Sequence, residues 1–512
     1  MNTARLLLTG ILFFILYALP AHGQETGHGA KDSGRQQQSG TGKEIPPEKP
    51  VVTTHSISKG GKPLRYTATA GYMQVGGRDN EQKADIFFVA YVKDSPEDRS
   101  KRPITFIFNG GPGASSVWLH LGAIGPKRIA REYAGKPLLP PYTLVDNEHT
   151  WLDLTDLVFI DPVGTGYSRA ASKENEEKFY GTRKDIQSVG EFIRLYTTRN
   201  GRWLSPKLIA GESYGTMRAV ALAEHLHGAY GMEVNAIVLI SAVLNLQTIS
   251  FTMGNDVPCI AFLPSYALTA AYHKKSPYGT KEQVRPPMAD VEQWALNEYT
   301  TALAKGDALK KDERERIVEK LTAYTGLPRE SIRNGNLRIP VSQFLRTLLR
   351  DDNLTVGLLD SRFAAVGRFE DLFSNDPSFY GTLGAYVAGI NDYLRNDLRY
   401  TNDLPYEYLS RRVNASWNWG SAAQGFPNVS DTLQEMMRRS GALKVFIASG
   451  YYDLDTPYFG VIYDINHLGL EPELRKNITV AFYKAGHQPY TDMPSLKKLR
   501  EDIGKFFNSL RY

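Results

Sequence analysis

The chain has 512 residues, 42% of them hydrophobic and 22% charged, which is enough apolar material for a large core and too much for a disordered protein. The net charge of +5 is thinly spread, with no Lys/Arg block interleaved with aromatics, so a nucleic-acid partner is not indicated. With a single cysteine, Cys259, no intramolecular disulfide can form and the fold must hold by its core.

In chain order, Met1 to Gly23 carries Arg5, an apolar run from Leu6 to Leu19, Pro20 and the small-residue pattern Ala21-His22-Gly23. This reads as a cleavable signal peptide, since the run is short for a bilayer span and lacks a basic stop-transfer flank. The expectation is a secreted or periplasmic protein with no stable membrane anchor after cleavage. Residues 24–50, rich in Gln, Gly, Ser, Lys and Glu, are read as a solvated leader. Residues 51–246 are read as the first part of the main domain, 247–440 as a helical cap insertion and 441–512 as the second part.

Val51 to Ile57, Arg65 to Val75 and Ala84 to Val92 alternate in the manner of antiparallel strands, punctuated by Gly76-Gly77. Ile104 to Phe108, Leu157 to Ile160, Lys207 to Ala210 and Ala236 to Ser241 are short continuous apolar runs, as in strands buried on both faces. Helical spacing follows Phe108 over Val117 to Leu121, then marks Thr182 to Thr197 and Met217 to His227. Strands alternating with helices predict a mainly parallel α/β sheet flanked by helices. The insertion offers helices at Val291 to Leu303, Arg314 to Tyr324, Val341 to Leu349 and Gly384 to Leu398. Its aromatic segments, Tyr266 to Tyr272 and Trp417 to Trp419, are read as core ahead of pocket lining. The sheet resumes with Leu443 to Ala448 and Ile478 to Tyr483, and Ser495 to Leu510 closes the chain as a helix.

Gly211-Glu212-Ser213-Tyr214-Gly215 joins an apolar strand to a helix, the setting of a nucleophile elbow, in which small neighbours let the serine sit alone on a sharp turn. A serine nucleophile needs a base and a carboxylate, which in α/β-hydrolases follow in the order Ser, Asp, His. Of the histidines beyond the insertion, His467 falls in an expected helix, Val461 to Leu468, and His487 follows a strand on a glycine-containing loop. Asp453 and Asp455 both stand just past a strand end; Asp453 lies three residues after Gly450, the usual placement, and Asp455 is read as stabilising its own loop. Asp161, followed by proline, is read as structural. His225 and His227 lack a third ligand, so neither a metal nor any other cofactor is expected. An oxyanion hole is expected from the Tyr214 N–H and the glycine-rich loop after Phe108.

These blocks resemble the serine carboxypeptidase family of α/β-hydrolases. Asn109 to Ser116 resembles its Asn-Gly-Gly-Pro-Gly-Cys-Ser-Ser loop, Phe159 to Ser168 its Phe-Leu-Asp-x-Pro-Val-Gly-x-Gly-Phe-Ser stretch, and Gly211 to Tyr214 its Gly-Glu-Ser-Tyr elbow. Asp453 with Pro457, and His487 with Asp492 and Pro494, match the remaining blocks. The resemblance implies the triad Ser213, Asp453 and His487, an oxyanion hole from the N–H groups of Gly111 and Tyr214, and Asn109 and Glu212 as holders of a peptide's terminal carboxylate. It implies release of C-terminal residues from peptides through an acyl-enzyme, favoured at acid pH because a carboxylic acid binds a carboxylate only when one of the two is protonated.

There are departures from the family pattern. A second family glutamate is matched by Ala123, the loop cysteine by Ala114, and the Met and Pro after the histidine by Gln488 and Tyr490. An esterase or acyltransferase on the same triad is the alternative, and a non-catalytic binding protein that kept the fold is the alternative from another class. Asn353, Asn414, Asn428 and Asn477 head Asn-x-Ser/Thr sequons, while the lone Cys259 suggests a bacterial source.

Overall fold

The computed structural model describes residues 49–76, 83–94, 98–130, 136–276, 285–366, 376–421 and 425–510. The expected signal peptide, nearly all of the leader and Gly77 lie outside the described residues, as do positions 277–284, 367–375 and 422–424 of the expected insertion.

Nine strands form the path of the main sheet: β1 Val51–Lys59, β2 Lys62–Val75, β3 Ala84–Lys93, β4 Ile104–Phe108, β5 Asp156–Ile160, β6 Lys207–Glu212, β7 Ala236–Ile240, β8 Lys444–Gly450 and β9 Ile478–Tyr483. Their spatial order is β1-β2-β3-β5-β4-β6-β7-β8-β9. β1, β2 and β3 pair antiparallel, β3 meets β5 antiparallel, and every pairing from β5 to β9 is parallel. The helix-flanked, mainly parallel sheet expected from the apolar runs is therefore present. The principal helices are α1 Thr182–Arg199, α2 Tyr214–Tyr230, α3 Val257–Tyr272, α4 Lys311–Thr325, α5 Pro377–Asp392, α6 Ser430–Ser440, α7 Tyr458–Asn466 and α8 Met493–Ser509.

Strand side chains alternate between two cores, as the period of two requires. Phe106, Phe108, Ile209, Leu239 and Ile447 face one, closed by Val189 and Phe192 of α1, Val220 and Leu222 of α2 and Leu433 of α6. Ile107, Leu208, Val238 and Phe446 face the other, closed by Tyr386 and Ile390 of α5 and Leu499 and Ile503 of α8. Each such side chain removed from water contributes about 1.5–3 kcal/mol, so both faces must be covered.

A third core is built from α3, Val318 and Leu321 of α4, Phe344, and Tyr451, Tyr452 and Leu454 from the loop after β8. Tyr266 is wholly buried there and stacks on Phe344 at 4.0 Å. The third core thus rests directly on the loop carrying Asp453. Cys259 is buried in it, and burial pushes its thiol up to about 12.

Two of these principal helices have no counterpart among those expected. In α3, residues from Pro258 to Ala270 are buried all round, so no polar face marks a helical period. α6 is short and lies against the first sheet face beside α2, where Arg439 pairs with Glu224. The helix expected over Val117 to Leu121 runs as Val117–Leu119 and then widens into a π-turn over His120–Ile124. α2 begins at Tyr214 instead of Met217, so the elbow itself forms its first turn.

Candidate active site

Four ends of the parallel strands meet at one edge of the sheet. β6 delivers Ser213, whose φ of 60° and ψ of −132° are costly for a side-chain-bearing residue. The turn is held from both sides. The Ser213 N–H donates to Ile240 O at 3.0 Å, and Ser213 O accepts from Thr216 Oγ1 at 2.7 Å. A Cβ on Gly211 would lie 2.1 Å from Gly215 O, so this tightness demands glycine. The Tyr214 N–H lies in the first turn of α2, where the helix itself offers no acceptor.

β4 delivers the glycine loop. At Gly110 a Cβ would come within 2.6 Å of both Tyr214 N and Glu212 O, so the loop backbone lies flush against the elbow. Gly111 follows it directly. The two amides expected to form an oxyanion hole thus belong to segments in backbone contact.

β8 and β9 deliver the carboxylate and the imidazole. His487 Nδ1 lies 2.8 Å from Asp453 Oδ2, and both side chains are almost fully buried. Asp453 is fixed in turn: Oδ1 accepts the N–H groups of Asp455 at 2.8 Å and Thr456 at 2.9 Å, and Oδ2 accepts Thr456 Oγ1 at 2.7 Å. Ser241 Oγ, just past β7, donates to the His487 carbonyl. Burial alone would lower the His487 pKa, but Asp453, helped by Asp455 and Glu212, outweighs it and holds the imidazole well above its ordinary value.

Asp455 stands elsewhere than expected. Its N–H helps its own loop, but its carboxylate turns to the other ring nitrogen, Oδ2 lying 3.8 Å from His487 Nε2. Burial pushes this carboxyl up to about 6.

Asn109 and Glu212, paired by resemblance, are in contact: Asn109 Nδ2 donates to Glu212 Oε1 at 2.7 Å, while Asn109 Oδ1 accepts the Leu119 N–H. Glu212 is 3% exposed, and burial raises its carboxyl to about 7 against the opposing pull of His487, Tyr490 and Asn109. Ala123 is fully buried in the π-turn and supplies no acid. Beside it, Gly122 is overlaid by the Tyr490 ring and the Tyr386 hydroxyl.

Three supports escaped the sequence reading. Arg218 of α2, fully buried, donates from Nε to Asp185 Oδ2 at 2.6 Å and from Nη1 to Asn109 O at 2.6 Å, its guanidinium lying near both the Phe108 and Tyr214 rings. It ties the glycine loop to the elbow helix from beneath. The only sequence signal is an arginine one helical turn after Tyr214.

The second support is segment 358–361, which lies between α4 and α5. Leu359 O accepts the His487 N–H at 2.6 Å, Leu358 O accepts the Leu454 N–H at 3.0 Å, and the Ser361 N–H donates to Tyr452 O at 2.9 Å. Buried Asp376 shapes this segment by accepting the N–H groups of Leu358 at 2.9 Å and Leu359 at 3.4 Å. The third is Tyr408–Ser410, which pairs with the glycine loop through Ser115 N to Tyr408 O and Ser410 N to Gly113 O.

Asp161 binds both Ser116 N and Oγ at 2.8 Å and the Tyr406 hydroxyl at 2.9 Å, the structural part read from its sequence position. His467 caps α7 through Tyr463 O, and His227 pairs with Glu233. Trp417 and Trp419 pack edge-on against the Tyr214 ring.

Comparison with known proteins places this geometry. The family model for serine carboxypeptidases matches residues 59–257, which hold the glycine loop and the elbow. The serine carboxypeptidase-like protein 19 of Arabidopsis thaliana is 26% identical over 198 residues, 38% of this chain and 38% of the relative. A serine carboxypeptidase of Caenorhabditis elegans is 23% identical over 266 residues, 49% of this chain and 47% of the relative. The matches thus span less than half the length of these relatives. The crystal structure of a prohormone-processing carboxypeptidase from Saccharomyces cerevisiae superposes with a TM-score of 0.57 at 16% identity, covering 86% of this chain and 91% of that one, and shares the α/β-hydrolase fold. Residues 59–257 of this chain thus resemble the serine carboxypeptidase family, and its sheet has the α/β-hydrolase fold.

Proposed function

We propose that this protein is an exported serine carboxypeptidase, releasing C-terminal residues from peptides through Ser213, His487 and Asp453. The observation that carries the reading is the 2.8 Å contact of His487 Nδ1 with buried Asp453, on strand ends that converge with a strained Ser213. His487 Nε2 takes the proton of Ser213 Oγ as the oxygen attacks the scissile carbonyl, and Asp453 stabilises the imidazolium that forms. The oxyanion is held by the N–H groups of Gly111 and Tyr214, which act where charge develops. Nε2 then returns the proton to the departing amine, leaving an acyl group on Ser213. Water, deprotonated by the same nitrogen, frees the acyl group. Glu212, protonated below about 7 and supported by Asn109, donates to the terminal carboxylate of the peptide. Export follows from reading Met1 to Gly23 as a signal peptide. Among the described residues, no helix is long and apolar enough to cross a membrane.

One observation favours a second reading, an esterase on the same triad. Ala123 leaves the carboxylate clamp with one acid where the family usually has two. The test is release of amino acids from N-blocked dipeptides at acid and neutral pH, beside hydrolysis of esters with the same acyl group and a Ser213→Ala control. Serine-dependent release of the C-terminal residue, stronger in acid, supports the carboxypeptidase; ester cleavage alone moves the assignment to an esterase.

A further inference from the structure

Asp455 has no task in the reaction just described, yet its carboxylate stands at the nitrogen where the protons move. The imidazole of His487 lies between two carboxylates, Asp453 Oδ2 at 2.8 Å from Nδ1 and Asp455 Oδ2 at 3.8 Å from Nε2. The two differ in setting. Asp453 is fully buried and saturated with donors, whereas the Asp455 side chain is 16% exposed, and among the described residues no N–H or O–H reaches its carboxylate within hydrogen-bond distance.

A largely buried carboxylate is costly unless a cation faces it. In this structure the group that faces it is the imidazole of His487. The charged groups facing His487 are Asp453, Asp455 and Glu212, and those facing Asp455 are His487, Asp453 and Asp376, so acids outnumber bases around both. To accept the Ser213 proton His487 must be neutral, and Asp455 then loses its partner. A cation brought by the substrate would remove both obstacles: it would pair with Asp455 and weaken the hold on the imidazole's proton.

The reaction also says which part of the substrate comes near. Nε2 hands its proton to the departing nitrogen, so a group beside Nε2 borders the residue that leaves. Resting on the carboxypeptidase reading above, we propose that Asp455 is a specificity residue for the departing amino acid, taking its ammonium or guanidinium side chain in exchange for the contact with His487.

The test compares blocked dipeptides whose C-terminal residues differ in charge but little in shape: arginine against citrulline, and lysine against norleucine. With the wild-type protein, kcat/KM is expected to be about 10- to 100-fold higher for the charged member of each pair, the range of a charge-assisted hydrogen bond. Asp455→Asn and Asp455→Leu should bring both ratios near one, and with the norleucine substrate Asp455→Asn should move the rising limb of the pH profile to lower pH, because one anion no longer holds the imidazolium. Equal rates within each pair for the wild-type protein would overturn the proposal without any variant, as would ratios that survive in a folded Asp455→Asn. No serine-dependent release from any of the four dipeptides would overturn the carboxypeptidase reading and this inference with it, whereas release at equal rates overturns the inference alone.

Discussion

Glu212→Gln separates the acid from its shape. In the native protein Glu212 is 3% exposed, accepts from Asn109 Nδ2 at 2.7 Å and sits near His487 and Asp453. Its displacement from 4.5 to about 7 corresponds to about 3 kcal/mol of preference for the neutral form in the folded protein. Two consequences follow above pH 7. The ionised carboxylate repels the terminal carboxylate of a peptide, and it adds to the anions that hold the proton on His487. Release of a C-terminal residue, taken relative to hydrolysis of an ester of the same acyl group without a free carboxylate, should therefore decline by about tenfold per pH unit above 7.

Glutamine stays neutral and keeps an oxygen for Asn109, so that decline should vanish in Glu212→Gln, with kcat/KM reduced at acid pH through the lost O–H donor. The assay is kcat/KM from pH 4 to 9 for a blocked dipeptide and for an ester of the same acyl group without a free carboxylate. Because the folded-state value is raised, the stabilisation is full below 4.5 and lost as pH rises through about 7. The variant should accordingly melt higher than the native protein at pH 8, and the gain should fade at pH 4. An alkaline limb that persists unmoved in the variant refutes the assignment to Glu212.

Three further changes test the supports. Gly110→Ala places a methyl 2.6 Å from Tyr214 N and Glu212 O, and should cut kcat by on the order of 100-fold by moving the loop off the elbow, with a native-like circular dichroism spectrum; full activity would show that the loop is not pressed there. Arg218→Met removes the partner of buried Asp185 and should cost about 3–5 kcal/mol in denaturant unfolding, while Arg218→Met with Asp185→Leu recovers part of it; a loss under 1 kcal/mol would refute the buried pair. Asp376→Ala frees the N–H groups of Leu358 and Leu359, which carry the carbonyls bound to Leu454 and His487. It should lower kcat for esters and peptides alike by about tenfold at little change in KM, about 1.4 kcal/mol of transition-state stabilisation. Unchanged kcat would show that the segment does not position the histidine.

What could be read directly from the chain was whatever short-range physics dictates. Short continuous apolar runs bounded by turn residues, such as Ile104 to Phe108, read as strands covered on both faces, and glycines around Ser213 mark a turn that no larger residue tolerates. The order of serine, aspartate and histidine then singled out Ser213, Asp453 and His487 from many candidates. By contrast α3 carried no period, because a helix buried all round has no polar face to betray it.

Only the tertiary structure decided what depends on approach from afar in the chain. Arg218 looked like an ordinary helix arginine until Asp185 and the Asn109 carbonyl met it beneath the elbow. Asp376 and Leu359 lie far from His487 in sequence, and their part arises only because the segment between α4 and α5 folds back onto the loops after β8 and β9. Asp455 and Asp453 are two residues apart and of one chemistry, and the sequence ranked them by spacing alone. The turn after β8 aims Asp453 at Nδ1 and Asp455 at Nε2, a difference of direction set by backbone geometry and packing and by nothing in their chemistry or spacing.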